Sequence, residues 1–539
     1  MASVAERLVL LLRETGVRYV FGIPSGPWMD YMEAMRHRGG IDFVLVSNEA
    51  SAGFMADVCA RITGAPGACY GTFGPGATNL STGVGCAYLD RSPVLAFTTE
   101  PSDAMLGRTM QMAIDHQALF RPLTKWTTRL RADRVGETFY RAVQMATSEV
   151  PGPVHIGLPS DLGGQAAADE GAQPLPAVGP PAPDADALDE MTALFRKARK
   201  PILAVGLTAA RAGVQNLVTQ IAETHGAPVV LTPMAKGIVP DTHPCYAGVL
   251  FHGLSDHVAR THQQADLVIG VGYDPVEFNY EDWMPDAPLA HIDTLPADLD
   301  RLADTLVCDV VGDLRPALLR LLALPPLGND WDLGALATRR EEMLSLLRRT
   351  EGPFGPRAAL TLLREALPED GVMTCDVGAH THLIGQHWRT PRPGAQIMTN
   401  GWSSMGFGIP SAIAAGLCLP GRQVACVTGD GGFLMMAGEM ATAMRLGVHV
   451  VFVLLTDRNL TLIGLKQDQR DLARYGTLLH GDGYAAAETF FGVPVLPAHD
   501  ANTYREALHE AFAAEGPVIV EAFVDGSEYD DLILRGHRG

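Results

Sequence analysis

The chain has 539 residues, too many for a single hydrophobic core, so two to four domains are expected. Its 47% apolar and 19% charged residues are typical of a globular protein, and no apolar run reaches the length of a membrane span. A net charge of −20 without a compensating Lys/Arg cluster argues against a nucleic-acid partner. The N-terminal residues form an amphipathic helix pattern and not a signal peptide, so we expect a cytoplasmic protein.

The cysteines are scattered through apolar stretches and form no CxxC pair. This spacing predicts reduced core residues and suggests neither zinc ligands nor disulfides. They are Cys59, Cys69, Cys86, Cys245, Cys308, Cys375, Cys418 and Cys426.

Residues 4–160 alternate helical and strand patterns, which predicts a parallel, doubly wound sheet. Three of its strands end in turn-forming segments: GIPSG at 22–26, SNEASA at 47–52 and GTFGPGATN at 71–79. Judged from the residues alone, Glu49 is a carboxylate at a helix N-terminus, where the helix dipole favours it. The 74–79 segment is, on the same evidence, a tight strand-to-helix turn.

The middle of the chain begins with an extended linker, because residues 162–186 are rich in Ala, Pro, Gly and Asp and lack apolar periodicity. A new strand–helix alternation from residue 188 to about 324 predicts a further doubly wound domain. A second stretch, 325–354, is expected to be rich in loops and to precede the last domain.

The last third carries its polar residues at the ends of apolar runs. One strand pattern ends at Asp376, a second at Gly429-Asp430-Gly431-Gly432 and a third at Asp457-Arg458-Asn459. Between the last two we expect one helix, from Leu434 to a stop at Gly447. Because ligands bind at the carboxyl ends of parallel strands, Asp430 and Asp457 can converge on one Mg²⁺, with the glycines close to a phosphate. A doubly wound unit with acidic loop residues fits the same pattern.

Motifs elsewhere in the sequence favour the magnesium site over a doubly wound unit that merely carries acidic loop residues. GDG followed by Asp457, 27 residues after Asp430, resembles the signature of thiamine diphosphate enzymes. The segments NEASAGFMADVCARITG (48–64), TFGPGATNL (72–80) and GWSSMGFGIP (401–410) resemble acetolactate synthases and their 2-oxo acid decarboxylase relatives. The resemblance implies an α/β fold of three doubly wound parallel-sheet domains: a pyrimidine-binding domain at 1–165, a central domain at 187–325 and a diphosphate-binding domain at 355–539.

The resemblance also implies roles for individual residues. Glu49 would share a proton with the aminopyrimidine ring of thiamine diphosphate, Met405 would force the cofactor into a bent shape, and the carbonyl of Ser403 would accept from its amino group. Asp430, Asp457 and the carbonyl of Asn459 would hold Mg²⁺ on the diphosphate. The remaining cofactor-binding positions are expected to be Pro24, Gly74, Asn79, His380, Ser404, Gly429, Gly431 and Gly432. For His380, an ordinary surface histidine is the alternative.

Substrate handling departs from the family. Acetolactate synthases have an active-site Gln where this chain has Met112, and the His-His pair of pyruvate decarboxylases is absent, while Asn48 resembles the decarboxylases. Gln111 and His116 are the neighbouring polar candidates for a catalytic role. The run GYDPVE at 272–277 resembles FAD-free catabolic acetolactate synthases, so we predict that FAD is not bound.

The predicted function is thiamine-diphosphate- and Mg-dependent decarboxylation of a 2-oxo acid, with carboligation of the resulting enamine to a second carbonyl compound. Simple 2-oxo acid decarboxylation and acyloin (C–C) cleavage are alternatives. A flavin-linked oxidase and a non-catalytic binding homologue belong to different classes, and retained Glu49, Asp430 and Met405 argue against the second. Glu49 and Asp430 fall on different domains, and one site needs both. The resemblance implies that this site forms between two chains, so we expect a homodimer or homotetramer with sites at the subunit interface.

Overall fold

The computed structural model describes residues 2–168, 171–479, 481, 483–484 and 488–533. Three largely parallel β-sheets with flanking helices give an α/β protein, as predicted. Within these residues, no helix is both long and apolar enough to cross a membrane. The eight cysteines are buried and free, in agreement with their apolar sequence context.

The first sheet has the strand order β2-β1-β3-β4-β6-β5, with parallel pairing throughout. Its strands are β1 Tyr19–Gly22, β2 Asp42–Leu45, β3 Gly67–Gly71, β4 Val94–Glu100, β5 Trp126–Arg129 and β6 Val154–Pro159. The helices are α1 Val4–Glu14, α2 Met29–Arg38, α3 Glu49–Thr63, α4 Gly74–Leu89, α5 His116–Phe120 and α6 Val135–Thr147. Strands β3, β4 and β6 are buried along their whole length, as expected where helices cover both faces of a parallel sheet.

The second sheet has the order β12-β11-β10-β7-β8-β9 and is also parallel. Its strands are β7 Pro201–Val205, β8 Val229–Leu231, β9 Tyr246–Val249, β10 Leu267–Val271, β11 Leu289–Asp293 and β12 Leu306–Val311. The helices are α7 Ala185–Lys197, α8 Leu207–Arg211, α9 Gln215–His225, α10 Ser255–His262 and α11 Leu314–Leu322.

The stretch at 325–354, expected to be rich in loops, contains α12, Leu333–Leu347, so that expectation was wrong. Asp332 caps this helix by accepting a hydrogen bond from the Ala335 N–H. Its buried side chains, among them Met343 and Leu347, join a core shared by the second and third sheets. Tertiary burial therefore stabilises a helix whose amphipathic signal is weak.

The third sheet has the order β14-β13-β15-β16-β19-β18-β17, in which only the β17–β18 pair is antiparallel among the described strands. Its strands are β13 Val372–Cys375, β14 Gln396–Ile397, β15 Val424–Gly429, β16 Val450–Thr456, β17 Thr489–Phe490, β18 Val493–Ala498 and β19 Val518–Phe523. The helices are α13 Pro356–Ala366, α14 Ala379–His387, α15 Gly408–Cys418, α16 Asp430–Met436, α17 Glu439–Leu446, α18 Thr461–Asp468 and α19 Ala501–Ala513.

The single helix expected after Gly432 is divided into α16 and α17, which corrects the prediction. The break lies at Gly438, which packs against the first sheet's domain: Ser47 Oγ donates to the Gly438 carbonyl at 2.8 Å. One carboxylate oxygen of Glu439 accepts from the N–H groups of Ser47 at 2.9 Å and Asn48 at 3.1 Å. These contacts lie at the break between α16 and α17 and connect the third domain to the segment that precedes Glu49.

The first and third sheets share a hydrophobic core in which α3 faces α15, with Phe54 against Phe407. Helices α3 and α4 approach closely enough that a Cβ at Gly53 would lie 2.6 Å from the Gly83 Cα. This packing fixes α3 and α4, whose N-termini follow β2 and β3, relative to the third sheet.

Candidate active site

The first group of polar residues lies where β2 and β3 lead into α3 and α4. Asn48 caps α3 by accepting from the Ala50 N–H at 2.8 Å, which places Glu49 in the first turn, 6% exposed. Asn79 donates through Nδ2 to Glu49 Oε2 at 3.0 Å. A Cβ at Gly76 would lie only 3.2 Å from Glu49 Oε1, so the glycine lets the 74–79 turn lie over the carboxylate. The structure thus brings Glu49 and Asn79 together.

The substrate candidates before α5 flank the start of α4. The Gly74 N–H donates to the Met112 carbonyl at 2.8 Å, and both Gln111 and Met112 are exposed. Pro24 follows β1 and is also exposed. All three positions are thus exposed, and Met112 contacts the N-terminus of α4.

His116 differs from Gln111 because it faces the interior. Its Nδ1 lies 2.8 Å from Thr98 Oγ1, and the same hydroxyl lies 2.7 Å from His155 Nε2. Burial lowers the pKa of His116 to about 4, so the ring is neutral at physiological pH. The structure therefore does not place the two candidates in one cluster.

The second group lies at the carboxyl ends of β15 and β16. Asp430 accepts from the Gly431 N–H at 2.9 Å and the Arg458 N–H at 2.7 Å. Asp457 accepts from the Thr461 hydroxyl at 2.5 Å and from the Asn459 N–H at 3.1 Å. Burial, followed by the negative charge of Asp457, raises the pKa of Asp430 to about 7, and burial also raises the pKa of Asp457.

This pair of carboxylates fits a divalent cation. Two like charges that are largely removed from water are costly: Asp430 is buried and Asp457 is half-buried. Across the described residues, neither of them forms an ion pair with a Lys or Arg. The side-chain oxygen Oδ1 of Asn459 is buried without a hydrogen-bond partner. Carboxylate and carbonyl oxygens with neighbouring phosphate are the ligands that Mg²⁺ uses in proteins.

Glycines and a buried histidine surround the same strand ends. His380 is 4% exposed, which excludes the surface-histidine alternative, and its Nε2 has no partner within the described residues. Burial lowers the pKa of His380 to about 4. Its ring lies 3.5 Å from where a Cβ of Gly429 would be, and a Cβ at Gly432 would lie 2.8 Å from Asp376 Oδ2. The small residues keep the backbone at the start of α16 open to a ligand.

The 403–406 turn lies beside this start. A Cβ at Gly431 would be 2.9 Å from Met405 Cε, so the methionine side chain reaches the GDGG segment. Ser403 has a left-handed φ of 51°, and Ser404 Oγ donates to the Met405 carbonyl at 3.0 Å. The structure therefore groups Met405 with Gly431 and Asp430.

The sequence placed Asp376 at a strand end, at the head of the 376–380 segment that resembles the family's DVGxH loop for the diphosphate. It did not predict that the Asp376 side chain organises the 403–406 turn. Its Oδ1 accepts from the Gly406 N–H at 2.8 Å, and Oδ2 accepts from the Thr428 hydroxyl at 3.2 Å. Burial raises the pKa of Asp376 to about 6. The DVG motif at 376–378 was the available signal, because a polar residue at a strand end beside the GDG strand is placed to hold neighbouring loops.

The two groups belong to different sheets. Among the described residues, no hydrogen bond joins Glu49 to Asp430, Asp457 or Met405. The Glu439 contact with Ser47 and Asn48 is one of several that connect the two domains. One chain therefore presents one carboxylate from its first domain and a pair of carboxylates from its third.

Comparison with known proteins agrees with this division. Residues 2–119 match the family model described as thiamine pyrophosphate enzyme, N-terminal TPP binding domain. Residues 188–321 match the central domain of the same enzymes, and residues 376–522 match their C-terminal TPP binding domain.

Similar proteins extend over nearly the whole chain. The acetolactate synthase isozyme 3 large subunit of Escherichia coli is 30% identical over 98% of this chain and 96% of its own length. The acetolactate synthase of Bacillus subtilis is 28% identical over 98% and 94%. A probable acetolactate synthase large subunit of Methanocaldococcus jannaschii is 29% identical over 99% and 94%.

Proposed function

The chain belongs to the thiamine-pyrophosphate-dependent enzymes of the acetolactate synthase family, and from that premise we propose a specific reaction. The enzyme removes CO₂ from a 2-oxo acid in the presence of Mg²⁺. It then joins the remaining fragment, as a carbon nucleophile, to a second carbonyl compound. The observation that carries the proposal is the pair of carboxylates without a cationic partner, the buried Asp430 and the half-buried Asp457, beside Met405 and the GDGG glycines.

Different residues of the third domain would hold different parts of the cofactor. Asp430, Asp457 and the carbonyl of Asn459 would bind Mg²⁺ and, through it, the diphosphate, while Gly431 and Gly432 leave room at the start of α16. The cofactor supplies an electron sink that allows CO₂ to leave a 2-oxo acid. The Met405 side chain would fix the angle between the cofactor's two rings.

Glu49 would hold or release a proton at its carboxylate, opposite the pyrimidine ring. Its burial and its hydrogen bond from Asn79 keep the carboxylate in one orientation and exclude water from one side. The exposed Gln111 and Met112 would face the substrate, with Met112 supplying an apolar wall where related synthases carry Gln.

Carboligation is favoured over simple decarboxylation because relatives matched over at least 94% of their own length are named acetolactate synthases. Decarboxylation or acyloin cleavage is the second candidate, which Met112 and Asn48 favour. We assign residues 1–165 to pyrimidine binding, 187–325 to the central domain and 355–539 to diphosphate binding, in line with the three sheets.

We further propose that each site is shared by two chains of a homodimer or homotetramer. Within the described residues of one chain, no hydrogen bond joins Glu49 to Asp430, which supports this. The exposed apolar side chains of Leu434 and Met435 on α16 support it as well. Mixing a Glu49→Gln chain with an Asp430→Asn chain should restore about a quarter of wild-type activity, since half of random dimers then hold one intact site of two. No recovery would show that both residues come from the same chain.

FAD is not part of the proposed enzyme. In the central domain, aromatic rings pack together after β10: Tyr273 is stacked on Tyr280 with 4.2 Å between the ring centroids, and its hydroxyl accepts a hydrogen bond from Trp283 Nε1. A yellow purified protein with flavin absorbance would overturn this point and favour an oxidase.

Product analysis tests the function. The purified protein is incubated with thiamine diphosphate, Mg²⁺ and pyruvate, and then with larger 2-oxo acids. A coupled hydroxy-keto acid such as acetolactate supports carboligation, and an aldehyde as the sole product moves the enzyme to the decarboxylases. If the cofactor binds and no 2-oxo acid loses CO₂, decarboxylation is refuted and acyloin cleavage is tested next.

A further inference from the structure

The five residues at 398–402, here called the approach segment, lead directly into Ser403 and Met405 but lie against the first domain. Arg61 of α3 donates through Nη1 to the Met398 carbonyl at 2.8 Å. The Gly401 N–H donates to Asp90 Oδ1, just beyond α4, at 2.9 Å. Two side chains of the first domain thus bind the backbone of the approach segment at both ends.

These two side chains belong to one buried ion-pair unit. Arg61 contacts Asp57 at 2.5 Å and Asp90 at 2.8 Å, and both aspartate side chains are 0% exposed. Arg61 Nε also donates to Asp57 Oδ1 at 2.8 Å, so Nη1 is left to bind the Met398 carbonyl. A guanidinium held on two sides by fixed carboxylates is a rigid donor.

Close packing limits the approach segment further. Gly85 of α4 lies under the Trp402 ring, so that a Cβ there would come within 2.6 Å of it. A Cβ at Gly401 would lie 2.9 Å from Asp90 Oδ1. Cys86 Sγ lies 3.4 Å from Thr399 Oγ1. Neither the backbone nor the indole can shift toward the first domain.

The turn that follows needs such support. Ser403 adopts a left-handed φ of 51°, which costs free energy in a non-glycine residue and persists only where the surroundings enforce it. On its far side the turn is bound to the third domain through the Gly406 N–H and Asp376. The Met405 side chain is therefore held between two anchors, one from each domain.

We propose that Arg61 and Asp90 are positioning residues for the reaction: they set the place of Met405 and the Ser403 carbonyl by fixing the approach segment. This inference rests on the proposed function, because it assumes that these two groups meet the cofactor. The first domain then has two tasks, supplying Glu49 to a site and holding Met405 in its own chain. A displacement of about 1 Å at a positioning group can lower turnover roughly 100-fold.

The test uses the full-length protein with Arg61→Met and Asp90→Asn. The second variant keeps the side-chain size and an oxygen for the Gly401 N–H, so it guards against simple misfolding. Arg211→Met is the matched control, because Arg211, like Arg61, is 19% exposed and forms an ion pair with a carboxylate. Its partner is Glu149, which does not bind the approach segment.

Hydrogen exchange of residues 398–406, measured without cofactor, is the first readout and does not depend on the proposed function. We expect exchange about 10- to 100-fold faster in Arg61→Met, a smaller acceleration in Asp90→Asn and wild-type rates in Arg211→Met. Unchanged protection of this peptide in a folded Arg61→Met protein would overturn the proposal.

The second readout separates positioning from binding and from general stability. With cofactor and Mg²⁺ saturating, Arg61→Met should lower kcat at least about tenfold with KM nearly unchanged, and should alter the near-UV circular dichroism of the bound cofactor. Wild-type kcat together with accelerated exchange would show that the segment has no influence on catalysis. If the wild-type protein binds no thiamine diphosphate, the proposed function fails, and the exchange result still stands by itself.

Discussion

Replacement of Glu49 by Gln is expected to change the stability of the protein little and its turnover rate greatly. The amide has the size of the carboxylate, and its oxygen can still accept from Asn79 Nδ2, which lies 3.0 Å from Oε2 in the wild type. The substitution replaces one charge-assisted hydrogen bond by a hydrogen bond between neutral groups, which should lower the free energy of unfolding by about 1 kcal/mol. Thermal unfolding should therefore shift by only a few degrees.

The loss for catalysis is larger because the amide cannot take up or release the proton. General acid–base groups contribute about 10²- to 10⁴-fold in rate, or roughly 3–5 kcal/mol in activation free energy. We expect kcat for CO₂ release to fall by that factor, while calorimetry shows thiamine diphosphate bound within a few-fold of the wild-type affinity. The two free energies differ enough to be told apart in one set of experiments.

Glu149→Gln is the control for this comparison, since Glu149 also lies in the first domain and forms an ion pair, with Arg211. It should change thermal stability without changing kcat. A Glu49→Gln protein that binds cofactor and turns over at near the wild-type rate would refute the assigned role of the carboxylate.

Three further changes test other parts of the account. Asp430→Asn should raise the Mg²⁺ concentration for half-maximal cofactor binding about tenfold or more, since even indirect metal partners contribute that much; an unchanged Mg²⁺ titration would exclude Asp430 as a ligand. Gly53→Ala should destabilise the fold by about 1–3 kcal/mol, because its Cβ would lie 2.6 Å from the Gly83 Cα, and an unchanged denaturation midpoint would contradict that packing. Burial raises the pKa of Glu277 from 4.5 to about 8, so the folded state keeps a proton that the unfolded chain loses. Stability should accordingly fall as the pH rises from 4.5 to 8, and Glu277→Gln should flatten that slope in thermal melts; an equal slope would contradict the shift.

The parts of the site that could be predicted are those encoded locally. Asp430 and Asp457 each follow an apolar run, and Glu49 follows another, so position along the chain already places them at strand ends. The α/β class follows from the same alternation. These features depend on neighbours within a few residues and were visible without tertiary structure.

The parts that could not be predicted depend on distant contacts. The break between α16 and α17 lies at a contact with Ser47, some four hundred residues earlier in the chain, and a periodic apolar pattern does not report that contact. His116 is neutral and buried because β4 and β6 supply Thr98 and His155 as neighbours. Arg61 reaches Met398 across most of the chain. Such pairings are set by how the domains pack.

The decisive measurement is a structure of the protein with thiamine diphosphate and Mg²⁺ bound. It would show whether Glu49 and the group of Asp430, Asp457 and Asn459 contact the same cofactor molecule. We predict Mg²⁺ at about 2.1 Å from oxygens of Asp430, Asp457 and Asn459, with the pyrimidine ring in hydrogen-bond contact with Glu49 of the partner subunit and Met405 between the two rings. A cofactor bound without either the Asp430–Asp457 pair or a Glu49 carboxylate in contact would contradict it.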